Sequence, residues 1–168
     1  PRDGYVVVAP GASFGPAKQW EAARFVEAVA GMTSRGDRAL VIVGAGDDRD
    51  VAAAVAEGAR AARVPCADLA GQTQLPDLIG ILAGAEAVLS NDSGVMHVAA
   101  ALGRPTVAVF GSTSPVWTSV SAPWVTNLYA AYPCSPCYRR TCPIGYGCLR
   151  SITPSQASAA LDQRRTRE

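Results

Sequence analysis

Four loops in the sequence contain the small, hydroxyl-bearing and charged residues that bind phosphate groups. The first, residues 10–18, combines small residues that permit close backbone approach with the Ser13 hydroxyl and the Lys18 ammonium group. Lys18 is the only lysine in the chain, and we predict it at a helix start, where a cation is mildly unfavourable against the helix dipole. This placement favours an anionic partner over a surface lysine without one. The other three loops are residues 44–48, 90–94 and 111–114.

The loop at residues 90–94 has the pattern of a helix start. We predict that Asn91 or Asp92 caps this helix. The following backbone N–H groups would then point outward with the helix dipole behind them, and a diphosphate would fit against them; they belong to Ser93, Gly94 and Val95. A plain helix cap without a ligand is the alternative interpretation.

The only histidine of the chain lies on the same predicted helix. His97 either faces the edge of the sheet where ligands bind or packs between the helix and the sheet. The sequence leaves both interpretations open.

Two common nucleotide-binding motifs do not occur at the first loop. It lacks the Gly-Lys-Ser/Thr ending of a P-loop, and no Gly-x-Gly-x-x-Gly pattern follows the first predicted strand. The sequence therefore supports neither a P-loop nucleotide hydrolase nor an ordinary dinucleotide site.

Alternating strands and helices must position these loops. Apolar, β-branched runs predict strands at residues 5–9, 39–43, 87–89, 105–110 and 127–131, with a short strand or loop at 66–70. Helical periodicity predicts helices at residues 20–31, 47–63, 75–83, 94–102 and 154–161. This alternation predicts an α/β fold, a Rossmann-like doubly wound parallel sheet. All four loops would then lie at the carboxyl edge of one sheet.

Composition narrows the classes of protein. The chain has 168 residues, 49% apolar and 17% charged, with a mean hydropathy of +0.13, which indicates one folded domain with a sizeable core. The formal net charge of +1 argues against a basic stripe for nucleic acid, so we expect no nucleic-acid partner. The longest apolar runs are too short to span a bilayer, so we expect no transmembrane segment.

An irregular segment at residues 132–150 contains most of the cysteines. Their spacing, Cys-x2-Cys-x4-Cys-x5-Cys, resembles a set of zinc ligands that would fix a loop rich in Pro and Gly. Free packed thiols in a reducing compartment, disulfides and an iron–sulfur cluster are the alternatives, and the sequence does not choose among them. The four residues are Cys134, Cys137, Cys142 and Cys148, and we expect the fifth cysteine, Cys66, in the core.

Two motifs resemble a known family. Residues 90–106 (SNDSGVMHVAAALGRPT), with residues 110–115 (FGSTSP), are similar to the hallmark of the bacterial lipopolysaccharide heptosyltransferases of glycosyltransferase family 9. Residues 10–20 resemble the second signature of that family, and the cysteine segment is most similar to its heptosyltransferase II subgroup. The resemblance runs from about residue 5 to residue 161.

The resemblance implies one half of a GT-B glycosyltransferase. Residues 1–168 would form the C-terminal, donor-binding domain, with the N-terminal acceptor domain absent, and the start Pro1-Arg2-Asp3-Gly4, without an initiator Met, favours a piece of a longer chain. The donor would be ADP-heptose, a substrate, and no cofactor would be required. The acceptor would be the lipopolysaccharide core, and the enzyme would be cytoplasmic, at the inner face of the inner membrane. A non-catalytic nucleotide-binding α/β module is the alternative.

The resemblance also assigns roles to individual residues. Ser13 and Lys18 would contact the phosphates, with Lys18 stabilising the charge of the transition state, and Thr73 and Asp47 would contact the adenosine end. The diphosphate and the heptose would be held by Asp92, Ser93, Gly94, Val95 and His97. The family's base is an aspartate of the other domain, so this chain would contain no catalytic base. We therefore expect the chain alone to bind ADP weakly and to transfer nothing.

Overall fold

A computed structural model of the protein describes residues 4–33 and 39–165. Within these ranges the strands are β1 (Tyr5–Ala9), β2 (Ala39–Ile42), β3 (Cys66–Asp68), β4 (Ala87–Asn91), β5 (Thr106–Phe110) and β6 (Val125–Tyr129). The helices are α1 (Ala22–Thr33), α2 (Arg49–Ala61), α3 (Leu75–Ala83), α4 (Gly94–Ala101), α5 (Pro115–Thr118), α6 (Gly147–Arg150) and α7 (Pro154–Arg165). Short 3-10 turns occur at Pro16–Lys18 and Gly46–Asp48.

The six strands form one parallel sheet in the order β3-β2-β1-β4-β5-β6. The chain first builds outward from β1 to β3 and then returns to pair β4 with β1, so the strand order reverses between these two central strands. This is the doubly wound arrangement predicted from the sequence, and the reversal marks where such sheets bind ligands.

Alternate side chains of β1 serve two helical layers. Val6 and Val8 are buried in a core shared with α1, α2 and α7, whereas Val7 and Ala9 are buried in a second core shared with α3 and α4. Because both faces of the strand are covered, its run of apolar residues is uninterrupted.

The start of α1 differs from the prediction by two residues. Trp20 precedes the helix and is buried, with its ring packed edge-on against Phe25 at 5.1 Å. Its backbone N–H donates to the Asn91 side chain instead of a helical carbonyl, and its indole N–H donates to Ile152 O at 3.3 Å. Trp20 therefore joins the end of the first loop to the segment before α7.

The remaining elements follow the predicted order with shifted ends. β6 begins at Val125, two residues before the predicted strand, because Val125 is buried and pairs with Thr106 of β5. Of the predicted features at the chain ends, Pro1–Asp3 and the last three residues of the polar tail at 162–168 lie outside the described residues. Every helix within the described ranges is too short or too polar to cross a bilayer.

Candidate functional site

The first three loops line a cleft of about 380 Å³ at the carboxyl edge of the sheet. Apolar residues make up most of its walls, including Ala9, Val43, Leu75, Leu78, Val95 and Val98. Polar side chains also face it, from Ser13, Asp48, Thr73, Gln74 and Ser93. An apolar cleft with a few polar groups, next to the reversal of strand order, has the size and character of a small-molecule site.

Asn91, the last residue of β4, fixes the shape of the first loop. Its side chain is fully buried, and Nδ2 donates to the carbonyl oxygens of Pro10 at 2.7 Å and Gly11 at 3.3 Å. Its Oδ1 accepts from the Trp20 N–H at 3.1 Å. One buried amide thus holds both ends of the loop, and the predicted cap by Asn91 is wrong because its side chain is occupied there.

Lys18 and Asp92 form an ion pair at the same edge. Lys18 Nζ lies 2.7 Å from Asp92 Oδ2, and the two side chains are only 12% and 3% exposed. The same oxygen accepts hydrogen bonds from Thr113 Oγ1 at 2.6 Å and Thr118 Oγ1 at 3.0 Å. Because three donors converge on one buried carboxylate oxygen, Asp92 stays in place and positions the ammonium group of Lys18.

Neither member of this pair has the helix position predicted for it. Lys18 ends the 3-10 turn Pro16–Lys18, well before α1, so the argument from a cation at a helix start is wrong. Asp92 does not cap α4, because its Oδ2 is occupied by Lys18 and the two threonines. The N-cap is Ser93, whose side chain makes no capping hydrogen bond.

The start of α4 faces the cleft. Ser93, Gly94 and Val95 all line it, and the side chain of the N-cap residue, Ser93, makes no capping hydrogen bond. The first N–H groups of a helix lack partners within it and carry the positive end of its dipole. The cleft therefore offers backbone donors to an anion. Lys18 and Asp92 do not line it, but Asp92 directly precedes Ser93, so we call this end of the cleft its charged end.

The far end of the cleft contains Thr73 and an acidic residue. Asp48 lines the cleft, and its Oδ2 accepts from the Ala45 N–H at 2.9 Å. Its carboxylate fits because the neighbouring Gly11 has no side chain: a Cβ there would overlap it. Asp47, predicted at this end, is exposed and does not line the cleft. Asp48 is therefore the acid that the structure places where Asp47 was expected.

His97 is exposed on α4 and does not line the cleft. Its exposure excludes the interpretation in which it packs between the helix and the sheet. Its side chain is accessible on the first turns of the helix that faces the cleft.

The sequence did not reveal the roles of four residues of this site. Thr113 lies in a loop that was singled out, but its role as a donor to Asp92 depends on a contact across the sheet edge. Thr118 lies beyond any predicted loop, and the roles of Asn91 and Asp48 depend on the fold bringing distant backbone groups to their side chains. A hydroxyl four residues after the cap of a Pro-started helix is too common a pattern to have indicated Thr118.

The segment 132–150 is hydrogen-bonded to the fourth loop, residues 111–114. Ser135 Oγ donates to Gly111 O at 2.6 Å, and the Tyr138 N–H donates to Ser112 O at 2.8 Å. The cysteine segment is therefore part of the framework of the site.

The cysteines themselves are free thiols. Among the residues that the structure describes, no three histidine, cysteine or acidic side chains are arranged to hold a metal ion. Burial raises the pKa of the Cys148 thiol, whereas backbone N–H groups, that of Tyr146 first, lower the pKa of the Cys142 thiol. Cys66, expected in the core, is half-buried and packs against the core. The five cysteines therefore form no disulfide with one another.

Comparison with known proteins connects this geometry to one family. The model of glycosyltransferase family 9 (heptosyltransferase) matches residues 1–146. Lipopolysaccharide heptosyltransferase 2 of Salmonella typhimurium is 38% identical over 110 residues, which cover 65% of this chain and 31% of the relative. Lipopolysaccharide heptosyltransferase 1 of Pseudomonas aeruginosa is 35% identical over 126 residues, covering 74% of this chain and 34% of the relative.

A solved structure has the same fold over nearly the whole chain. The ADP-heptose lipopolysaccharide heptosyltransferase II of E. coli superimposes with a TM-score of 0.83 at 29% sequence identity. The match covers 98% of this chain and 47% of the E. coli chain. The chain thus spans about half of that structure, and the matched residues span about a third of the curated relatives.

Proposed function

Because the chain belongs to glycosyltransferase family 9, the heptosyltransferase family, we propose that it is the donor-binding domain of an enzyme that transfers heptose from ADP-heptose to the lipopolysaccharide core. One observation supports this most directly. An apolar cleft of a size suited to a base and sugar is lined by the start of α4, whose N–H groups suit phosphates, and the buried Lys18–Asp92 pair lies at the same edge of the sheet.

The charged end of the cleft fits the leaving group of the reaction. Transfer breaks the bond between the sugar carbon and the distal phosphate oxygen, so negative charge builds on the ADP that departs. Lys18 and the first N–H groups of α4 would stabilise that charge, and they are already held in place before the reaction begins. Ser13, exposed at the mouth of the cleft, adds a hydroxyl donor.

The apolar end of the cleft fits the adenosine. The base would lie against Leu75 and Leu78 of α3, with Thr73 beside it. Asp48 would accept hydrogen bonds from the ribose hydroxyls and takes this role in place of Asp47, because Asp48 faces the cleft.

The remaining assignments concern the diphosphate and the heptose. These groups would be held by Asp92, Ser93, Gly94, Val95 and His97, of which His97 is exposed and accessible to a bound sugar. In the proposed reaction no cofactor takes part.

The base that deprotonates the acceptor hydroxyl would come from outside these 168 residues. Asp92, the acid at the charged end, already accepts from Lys18 and two threonine hydroxyls through one oxygen and is nearly buried. We place acceptor recognition in another domain, because the chain spans only about half of the E. coli structure. We also propose that the whole enzyme works in the cytoplasm, at the inner face of the inner membrane.

Calorimetry with ADP tests the donor site. We expect the chain to bind ADP with a Kd of about 0.1–1 mM, which corresponds to roughly −4 to −5.5 kcal/mol. AMP, which lacks the distal phosphate, should bind more weakly, because it makes fewer ionic and hydrogen-bond contacts with the charged end of the cleft. Absence of ADP binding at millimolar concentration would refute the donor site.

The same preparation tests the assignment of the base. Incubated with ADP-heptose and a heptose-terminated core acceptor, the chain alone should release no ADP above the uncatalysed rate. Measurable transfer would show that the catalytic base lies within the 168 residues.

A further inference from the structure

The ion pair leaves the phosphate end of the cleft short of positive charge. Lys18 is the one lysine of the chain, and Asp92, 2.7 Å away and nearly buried, balances its charge. The diphosphate of a nucleotide sugar carries more than one negative charge. The uncapped start of α4 supplies only a partial charge of about half a unit, so a further cation would improve the match.

Arg140 contacts the same aromatic ring as Lys18, that of Phe14. Its guanidinium carbon is 5.3 Å from the centroid of the Phe14 ring, and Lys18 Nζ is 4.9 Å from the same centroid. The two cations are therefore separated by no more than the sum of these distances. Phe14 immediately follows Ser13 in the first loop, so Arg140 reaches the same loop that lines the cleft.

The backbone of Arg140 is fixed against this loop. Its carbonyl oxygen accepts from the Ala17 N–H at 3.0 Å. Gly15 has a φ of +132°, and a Cβ at this position would lie 2.8 Å from the Arg140 carbonyl oxygen. Only glycine permits this close approach without strain, so the segment 132–150 and the first loop are fitted to each other.

The side chain of Arg140 is available to a ligand. The residue is exposed, and within the described ranges no carboxylate forms an ion pair with it. Its contact with the Phe14 face orients the guanidinium group without using its N–H donors, which match phosphate oxygens in pairs.

We propose that Arg140 is a second cation of the donor site and binds the diphosphate of the nucleotide together with Lys18. The inference rests on the proposed function, because it takes the charged end of the cleft as the phosphate site. It also gives the cysteine segment a role in binding, since this segment carries Arg140 to the first loop.

Calorimetric titration with ADP, inorganic pyrophosphate and adenosine tests the proposal on the full chain. Arg140→Ala should weaken ADP and pyrophosphate binding about five- to tenfold and leave adenosine binding unchanged, because an exposed guanidinium contributes at the lower end of charged hydrogen bonds. Arg140→Lys should recover part of the loss. The matched control is Arg139→Ala, which removes an equal charge from the neighbouring exposed residue and should change ADP affinity less than twofold.

The outcomes separate this inference from the proposed function. If the unaltered chain binds neither ADP nor pyrophosphate, both fail. If it binds ADP and the Ala variants at 139 and 140 lose equal affinity, or none, the role of Arg140 is refuted while the donor site stands. Thermal unfolding of each variant shows whether it folds. Should Arg140→Ala unfold, Arg140→Gln, which keeps the stem of the side chain without the charge, gives the same comparison.

Discussion

The central residue of the site is Asp92, a carboxylate at a place proposed to bind an anion. Its negative charge would repel a phosphate, but that repulsion is reduced because the Lys18 ammonium group and two hydroxyl donors contact Asp92 Oδ2. The pair fixes the ammonium group in a geometry that a free lysine, with its flexible stem, would adopt only at an entropic cost. Asp92 therefore acts on a ligand chiefly through Lys18.

Removal of the ammonium group should weaken nucleotide binding. Lys18→Ala is expected to lose roughly 1.5–3 kcal/mol of ADP binding energy, the scale of a hydrogen bond to a charged group, and it also leaves the Asp92 carboxylate without its cation. Calorimetry measures the change, with adenosine as the ligand whose affinity should stay constant. An unchanged ADP affinity would mean that Lys18 serves the fold alone.

The thiols of the segment 132–150 should differ in reactivity with pH. The thiolate is the reactive form, and backbone N–H groups lower the pKa of Cys142 whereas burial raises that of Cys148. Iodoacetamide should therefore modify Cys142 several-fold faster than Cys148 near neutral pH, and the rate at Cys142 should begin to rise at a lower pH.

Mass spectrometry of peptides after timed alkylation measures both rates. A Cys142→Ser variant provides the control, since its Cys148 should retain the slow rate. Equal rates at the two positions would contradict the environments described for them.

At the scale of elements, the strands were largely predictable and the contacts between loops were not. Apolar runs located β1, β2 and β5 to within a residue, because a strand buried on both faces requires an almost continuous run of apolar residues. The start of α1 was misplaced because Trp20 has helical spacing with Phe25 but belongs to the loop.

The site was predictable to the extent that it follows from topology. Parallel strands bring their carboxyl ends to one edge, so the convergence of the loops followed from the strand pattern alone. Three contacts of the site join residues that are distant in sequence, and no local pattern predicts such contacts. They are the Lys18–Asp92 ion pair, the hydrogen bonds of Asn91 to the first loop, and the contact of Arg140 with Phe14.

The junction between the first loop and the segment 132–150 should be sensitive to one methyl group. Gly15→Ala forces a Cβ against the Arg140 carbonyl oxygen at a positive φ, and we expect a loss of about 1–3 kcal/mol in the free energy of unfolding. Urea denaturation measures it.

Gly80→Ala is the matched control for this substitution. Gly80 lies within α3, and nothing is found within 4 Å of a Cβ built there. This variant should gain roughly 0.5–1 kcal/mol, since alanine is the better helix former. A loss at Gly15 no larger than the effect at Gly80 would contradict the close fit.

At the scale of the whole molecule, the sheet is built from two parts of the chain that meet at β1 and β4. The first part supplies the loop at 10–18, Asp48 and Thr73, and the second supplies Asp92, the start of α4, Thr113 and Arg140. The pairing of Val6 with Ala87 and of Ala9 with Ser90 holds these parts together.

This division has a consequence for the chain during synthesis. The groups proposed to bind the nucleotide come from both sides of the β1–β4 pairing, and the Lys18–Asp92 ion pair joins one side to the other. The proposed site is therefore complete only when these two strands have paired. A partly synthesised chain that ends before β4 would contain Lys18 without Asp92 and the cleft without the start of α4, so we expect it to lack nucleotide affinity.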